Sequence, residues 1–205
     1  MENCTFVRKC LGPEGFVEQQ IMLGTISEMI LRLFGWKIKG RYPVGLPKVM
    51  LIVLPHTSNW DFPLGILVRS AIRADIKFIA KDSLFKPPFG RLFKWLGGYP
   101  VNRSKSSNFV QNMVDIFNRE AYFHTVIAPE GTRRKVDKLK TGFYYIAKGG
   151  QAAIAMCKFD WGNKEVVFSD PFYPSNDMDA DFEHIYSYFR GVKGKKPENG
   201  YLYKS

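Results

Sequence analysis

His56 and Asp61 stand five positions apart in the segment His-Thr-Ser-Asn-Trp-Asp, directly behind the apolar run 49–55. An unperturbed imidazole has a pKa of about 6.5, and it can take a proton from an alcohol, a step worth on the order of 10²–10⁴-fold in rate. An aspartate on the other ring nitrogen fixes the tautomer and stabilises the imidazolium. The pair suits general-base activation of a hydroxyl group. It equally fits a surface or capping histidine beside an aspartate in a helix's first turn.

A second cluster, Pro-Glu-Gly-Thr-Arg at 129–133, follows the apolar residues 125–127. Gly131 permits a tight turn, Thr132 offers a hydroxyl, and Arg133 offers a planar fork that binds phosphate through two hydrogen bonds. Glu130, beside so much positive charge, is expected to be ionised and to anchor Arg133 or a substrate hydroxyl. A basic hairpin loop on the surface would have the same composition.

A third cluster, Gly-Gly-Tyr-Pro-Val-Asn-Arg at 97–103, brings another arginine to the end of a short strand. Arg103 there could add to an anion-binding site. The alternative is an ordinary turn that ends in a solvated charge.

The elements that must position these clusters alternate between strands and helices. Periodicity predicts strands at 49–54, 76–80, 99–102, 123–128, 152–159 and 165–169, with helices at 60–74, 86–96, 105–119 and 141–148. This order predicts an α/β fold with a mixed, largely parallel sheet flanked by helices, the last two strands forming a hairpin. Parallel strands collect binding residues at their carboxyl ends, where both the 56–61 and the 129–133 segments lie.

Two amphipathic segments, 18–36 and 86–96, combine apolar faces with basic and aromatic residues. That pattern is typical of a helix lying on an anionic lipid surface, and also of a core helix with a basic solvent face. We expect Gly35 to end the first helix. Ser175 is a candidate cap for a final helix, and 193–197 is expected to form a solvated basic end.

The 205 residues fit one domain, 1–205, and 30 basic against 19 acidic side chains leave a formal charge of +11. Such a charge predicts a polyanionic partner: nucleic acid, an anionic membrane or a phosphorylated substrate. No nucleic-acid-binding motif, nucleotide-binding glycine loop or metal-ligand spacing is present, so we expect no nucleic acid, no metal and no bound cofactor. Residues 1–10 lack a secretory h-region, and no apolar run reaches the roughly eighteen residues of a membrane span, which favours a cytoplasmic protein.

Taken together, the three clusters resemble the glycerolipid acyltransferase superfamily, typified by 1-acylglycerol-3-phosphate acyltransferases, and its compact bacterial members in particular. The family's His-x-x-x-x-Asp block is matched by His56 and Asp61, and its Pro-Glu-Gly-Thr-Arg block by 129–133. The block ending in hydrophobic-Asp-Arg is matched by 101–103 with Asn in place of Asp. The fourth block, a strand that usually contains proline, corresponds to 153–156 without one. The resemblance covers about residues 45–160.

The resemblance implies a role for each matched residue. His56 would deprotonate the acceptor hydroxyl, and Asp61 would orient His56. Arg103 and Arg133 would hold an anionic head group. Glu130, Gly131 and Thr132 would shape that pocket.

The implied reaction moves a fatty acyl group from acyl-CoA or acyl-carrier protein to a lysophospholipid, with lysophosphatidic acid the first candidate acceptor. No acyl-enzyme is expected, because no Gly-x-Ser-x-Gly elbow is present. The expected location is the cytoplasmic side, peripheral on the inner face of the cell membrane. A catalytically silent lipid-binding protein with the same fold is the alternative.

Overall fold

A seven-stranded sheet forms the centre of the computed structural model, which describes residues 22–88, 90–101 and 106–201. The described strands are β1 (Lys37–Lys39), β2 (Lys48–Leu54), β3 (Ile76–Lys81), β4 (Gly98–Val101), β5 (Phe123–Ile127), β6 (Ala153–Asp160) and β7 (Glu165–Phe168). They lie in the order β1-β7-β6-β2-β5-β3-β4. The five from β6 to β4 are parallel to one another, and β7 is antiparallel to β6. The predicted largely parallel sheet and its terminal hairpin are both confirmed.

Strand β2 is the central strand, and its apolar run is buried on both faces, as expected for a strand inside a parallel sheet. Because side chains alternate along a strand, its even-numbered and odd-numbered residues enter different clusters. Met50, Ile52 and Leu54 enter the first cluster, whereas Val49, Leu51 and Val53 enter the second.

Helices cover both faces of the sheet. The described helices are α1 (22–33), α2 (Asp61–Ala71), α3 (Gly90–Trp95), α4 (Ser106–Arg119), α5 (Gly142–Gly149) and α6 (Met178–Phe189), with 3-10 turns at Asp82–Phe85 and Pro197–Asn199. Helices α4, α5 and α6 pack on the first cluster through residues such as Phe117, Ile146 and Ile185. Helices α1 and α2 pack on the second through Leu31 and Val68.

Helix α1 ends as the sequence predicted, at Gly35. The Gly35 N–H donates to the Arg32 carbonyl at 2.9 Å, and the Trp36 N–H donates to the Leu31 carbonyl at 2.8 Å. This pairing is a Schellman motif, which requires the positive φ of +77° that Gly35 adopts. Trp36 is thereby turned into the second cluster, where its ring meets that of Trp161 edge-on at 4.9 Å.

Two local predictions were wrong, and one strand was missed. The helix expected at 86–96 begins only at Gly90, because Pro87 and Pro88 have no backbone N–H to donate and a 3-10 turn precedes them. The three-residue strand β1 was missed, since so short a run carries no usable periodicity. The cap of α6 is Asp177, whose carboxylate accepts from the Ala180 N–H at 3.0 Å, and not Ser175.

Candidate active site

The structure brings His56 and Asp61 into contact at the carboxyl end of β2. His56 follows the strand in a short loop, and Asp61 is the first residue of α2. The His56 Nδ1 atom lies 3.0 Å from the Asp61 Oδ2 atom. The imidazole is 26% exposed, whereas the carboxylate is only 2% exposed. The histidine is thus open to a substrate while its partner is enclosed.

Asp61 is held by further donors on both carboxylate oxygens. Oδ2 accepts from the backbone N–H groups of Thr57 at 3.0 Å and Ser58 at 2.9 Å, and Oδ1 accepts from the indole N–H of Trp161 at 2.7 Å. A buried carboxylate is stable only when such bonds satisfy it. Since the ionised group only accepts, the His56 proton resides on Nδ1, and Nε2 is left as the proton acceptor.

Glu130 connects the second cluster to the first. Strand β5 lies beside β2, and the Glu130 Oε2 atom accepts from the His56 backbone N–H at 2.6 Å. The side chain is buried, and its Oε1 atom has no partner among the described residues. Burial raises the pKa of Glu130 to about 7, although the bond from the His56 N–H and the nearby His56 charge act in the opposite direction. No Glu130–Arg133 ion pair occurs among the described residues; the buried carboxyl instead supports the His56 loop through the bond from the His56 N–H.

The raised pKa of Glu130 predicts a pH-dependent stability. Because burial disfavours the carboxylate, this group's contribution is complete below its ordinary pKa of 4.5 and is lost as the pH rises through about 7. Gln cannot titrate, so the wild type should lose roughly 3 kcal/mol of unfolding free energy relative to Glu130→Gln between pH 4.5 and 8. Urea denaturation of both proteins across that range measures the difference.

The exposed Glu198→Gln serves as the matched control, and its stability should follow the wild type at every pH. Parallel stability curves for the wild type and Glu130→Gln would contradict the raised pKa.

Residues 131–133 of the second cluster form an exposed turn. Gly131 has a φ of +65°, and a Cβ there would lie 2.6 Å from the Lys140 Nζ atom, so glycine suits the position. The Thr132 hydroxyl accepts from the Arg134 N–H at 3.4 Å, and Arg133 is exposed. Arg103, the other predicted anion-binding residue, lies outside the described residues.

A cavity of about 1130 Å³ adjoins His56 and Asp61. Gly131, Thr132 and Arg133 also line it, so both clusters open onto one space. Most of its other lining residues are apolar and come from the sheet and from helices on both of its faces; they include Phe62, Ile66, Val68, Phe78, Phe109 and Phe143. An apolar chain can therefore lie in the cavity beside the His56 imidazole, with the Arg133 guanidinium lining the same space.

At one edge of the largely parallel sheet, the histidine–aspartate pair thus lies beside an apolar cavity. The chain belongs to the acyltransferase family, whose model, described as Acyltransferase, matches residues 38–160. This confirms the resemblance to the glycerolipid acyltransferase superfamily.

The fold is similar to the crystal structure of the 1-acyl-sn-glycerophosphate (LPA) acyltransferase PlsC from Thermotoga maritima. The TM-score is 0.61 at 16% sequence identity, with 93% of this chain and 86% of that chain covered. No curated protein gives a significant sequence match.

Among the described residues, no group of three His, Cys, Asp or Glu side chains is arranged to hold a metal ion. No described helix has the length and apolar character needed to span a bilayer.

His124, at the start of β5, forms a hydrogen bond of 2.9 Å with the Tyr42 hydroxyl, and burial lowers the pKa of His124. His184 lies on α6 against Phe172.

Sequence reasoning missed three contributors to this site. Trp161 was placed in the hairpin turn but not beside Asp61, and Thr57 was passed over although its N–H binds the carboxylate. The segment 193–196, expected to be solvated, packs against the His56 loop. A glycine between lysines, Gly194, is the one feature of that segment's sequence that could have indicated close packing.

Proposed function

We propose that the protein transfers a fatty acyl group from an acyl thioester to the hydroxyl of a lysophospholipid-type acceptor, lysophosphatidic acid being the first candidate. The observation that carries this proposal is the His56–Asp61 contact of 3.0 Å at an apolar cavity that Arg133 also lines. The apolar lining suits acyl chains, and the guanidinium suits a phosphate.

In the proposed reaction, His56 Nε2 takes the proton of the acceptor hydroxyl as its oxygen attacks the thioester carbonyl carbon. Asp61 stabilises the imidazolium that forms. The carbon–sulfur bond then breaks, and the imidazolium returns its proton to the leaving thiolate. The products are an ester and a free thiol, with no acyl-enzyme. Neither Ser58, which is buried, nor Cys157, whose thiol pKa is raised by burial, is needed as a nucleophile.

Acyl-CoA and acyl-carrier protein both remain candidate donors, and both are polyanions. The loop beside the cavity carries exposed cations that suit either one: Arg133, Arg134, Lys135, Lys138 and Lys140.

The proposed function is tested by incubating the pure protein with each acyl donor and a panel of lysophospholipids, with products identified by mass spectrometry. Acylated product from at least one pair supports the proposal, and its preferred acceptor names the substrate. Lipid binding without product from any pair would instead favour a catalytically silent lipid-binding protein.

Arg133→Ala should weaken the use of a phosphorylated acceptor more than it slows the chemical step. A hydrogen bond to a charged group is worth about 1.5–3 kcal/mol, so KM for lysophosphatidic acid should rise by roughly 10- to 100-fold with little change in kcat. Arg134→Ala is the matched control, since Arg134 is exposed in the same loop but does not line the cavity. An unchanged KM in Arg133→Ala would show that this arginine does not bind the acceptor.

We further propose that α1 rests on an anionic membrane surface, on the cytoplasmic face, and that nucleic acid is not a partner. Apolar side chains on and just after α1 are exposed, Leu33 by 82%, Met29 by 65% and Phe34 by 64%. Trp95 of α3 is 54% exposed, and Lys94 precedes it. Exposed apolar side chains beside cations are typical of an interfacial helix.

Leu33→Glu should reduce binding to vesicles that contain anionic lipid, because it places a carboxylate where an apolar side chain would enter the interface. Co-sedimentation with the vesicles measures the change. Tyr173→Glu is the control, at an exposed aromatic whose neighbour Phe172 packs against the first core cluster, and it should bind like the wild type. Equal losses of vesicle binding in both variants would indicate a general effect of added negative charge and would contradict a membrane-bound α1. Tight filter binding of RNA or DNA without vesicle binding would show that nucleic acid, and not the membrane, is the partner.

A further inference from the structure

We propose that residues 193–196, here called the strap, belong to the active site because they position Trp161 and, through it, Asp61. The inference rests on the proposed function of His56 and Asp61, and it adds a positioning residue and a chain segment to that site.

The strap holds Trp161 by its backbone and by its ring. The Trp161 backbone N–H donates to the Lys193 carbonyl at 2.9 Å. The Lys195 Nζ atom lies 4.5 Å from the Trp161 ring centroid and 4.6 Å from that of Trp60, so the ammonium sits against both indoles. The Trp161 ring also meets that of Trp36 edge-on at 4.9 Å. The indole is therefore held by both neighbours while its N–H donates to Asp61.

The strap is also fixed to the loop that carries His56. A Cβ on Gly194 would lie 2.5 Å from the Thr57 hydroxyl oxygen and 3.2 Å from the Pro55 Cγ atom, so the backbone there is in direct contact with the residues on either side of His56. The Lys196 N–H donates to the same Thr57 hydroxyl at 3.2 Å. The strap thus spans from the His56 loop to Trp161.

The two oxygens of Asp61 are held unequally. Oδ2 contacts His56 Nδ1 and two backbone N–H groups, whereas the single hydrogen bond described for Oδ1 comes from Trp161. Without that bond the carboxylate can rotate and draw the imidazole out of line. A small misplacement of reacting groups can cost on the order of 10²-fold in rate. Trp161 touches neither substrate nor reacting atoms in this scheme, so its loss should lower kcat and leave KM unchanged.

Trp161→Phe tests the bond directly, since it keeps a ring against Trp36 and Lys195 but removes the N–H. We expect kcat to fall by about 10- to 100-fold with KM within about twofold of the wild type.

Gly194→Ala tests the strap, with Gly45→Ala as its control, because a Cβ on Gly45 would meet nothing within 4 Å. The readouts are kcat, melting temperature and the ¹⁵N–¹H signal of the Trp161 indole, identified by its absence from Trp161→Phe. Gly194→Ala should shift that signal and lower kcat, and Gly45→Ala should change neither. If Gly194→Ala does not fold, Lys195→Met takes its place, since Lys195 is exposed and the change removes the ammonium from the two rings while keeping an unbranched side chain.

The outcomes separate the two proposals. Transfer that survives His56→Ala refutes the proposed mechanism and with it the role of Asp61. If acyl transfer is lost in His56→Ala but proceeds at the wild-type rate in Trp161→Phe, the proposed mechanism stands and the positioning role of Trp161 is refuted. An unmoved indole signal together with wild-type kcat in the Gly194 or Lys195 variant refutes the role of the strap.

Discussion

The His56→Ala variant is expected to lose acyl transfer by roughly 10²- to 10⁴-fold, the contribution of a positioned general base. The imidazole lines the cavity, and Asp61 fixes it with Nε2 free. Folding should survive, because the side chain is partly exposed and the bond to Glu130 comes from the backbone N–H, which alanine retains. Initial rates at saturating acceptor, together with melting temperature and vesicle binding, measure the three properties separately.

His184→Ala is the matched control, since His184 is exposed on α6 and contacts neither the cavity nor the His56 loop. It should transfer acyl groups at the wild-type rate. A His56→Ala enzyme with an unchanged rate would overturn general-base catalysis by this residue, whatever the acceptor proves to be.

Asp61→Asn should have a comparably large effect, although the two side chains have nearly the same shape. The carboxylate accepts on both oxygens, so an amide nitrogen must face either the Trp161 N–H at Oδ1 or three donors at Oδ2. In either orientation donors oppose each other, and a change of His56 tautomer would relieve only one of the three opposed donors at the Oδ2 position. The same exchange in a serine protease triad lowers kcat by about 10⁴-fold, and we expect a loss of about 10³- to 10⁴-fold here.

Asp61→Asn should also lower the free energy of unfolding by about 1–3 kcal/mol, the cost of a buried donor left unpaired. Asp179→Asn, at an exposed position in the first turn of α6, supplies the control for a lost negative charge. A variant that keeps both wild-type rate and stability would show that the four contacts of Asp61 are incidental.

Much of the fold follows from local sequence because its signals are local. The run 49–54 is apolar without alternation, which identifies a strand buried on both faces. The placement of His56 and the 129–133 turn on one edge follows from the parallel sheet, and the structure shows both at one cavity. Gly35 ended α1 as expected, since only glycine adopts a positive φ at so little cost.

The rest of the site depends on contacts between distant parts of the chain. Glu130 lies among basic residues in the sequence, yet its depth beside β2 decides its pKa. Trp161 reaches Asp61 across a hundred positions, and Lys196 reaches Thr57 across still more. No local pattern distinguishes an indole that closes a hairpin from one that also binds a carboxylate. Segment 193–196 shows the same problem. Its lysines predict exposure to solvent, whereas the burial of Gly194 against the His56 loop is seen only in the structure.

The pairing of β2 has a consequence for how the chain folds. Val49 lies opposite His124 on one side and Ala153 on the other, so the central strand gains both neighbours only from the second half of the chain. The entropy cost of closing loops of this length precedes the stabilisation that strand pairing brings. Topologies with such non-local pairing fold slowly. Until β5 and β6 arrive, the run 49–54 is an apolar strand with two open edges, a segment prone to aggregate. The strand that places His56 is therefore also a strand that can pair wrongly while the chain folds.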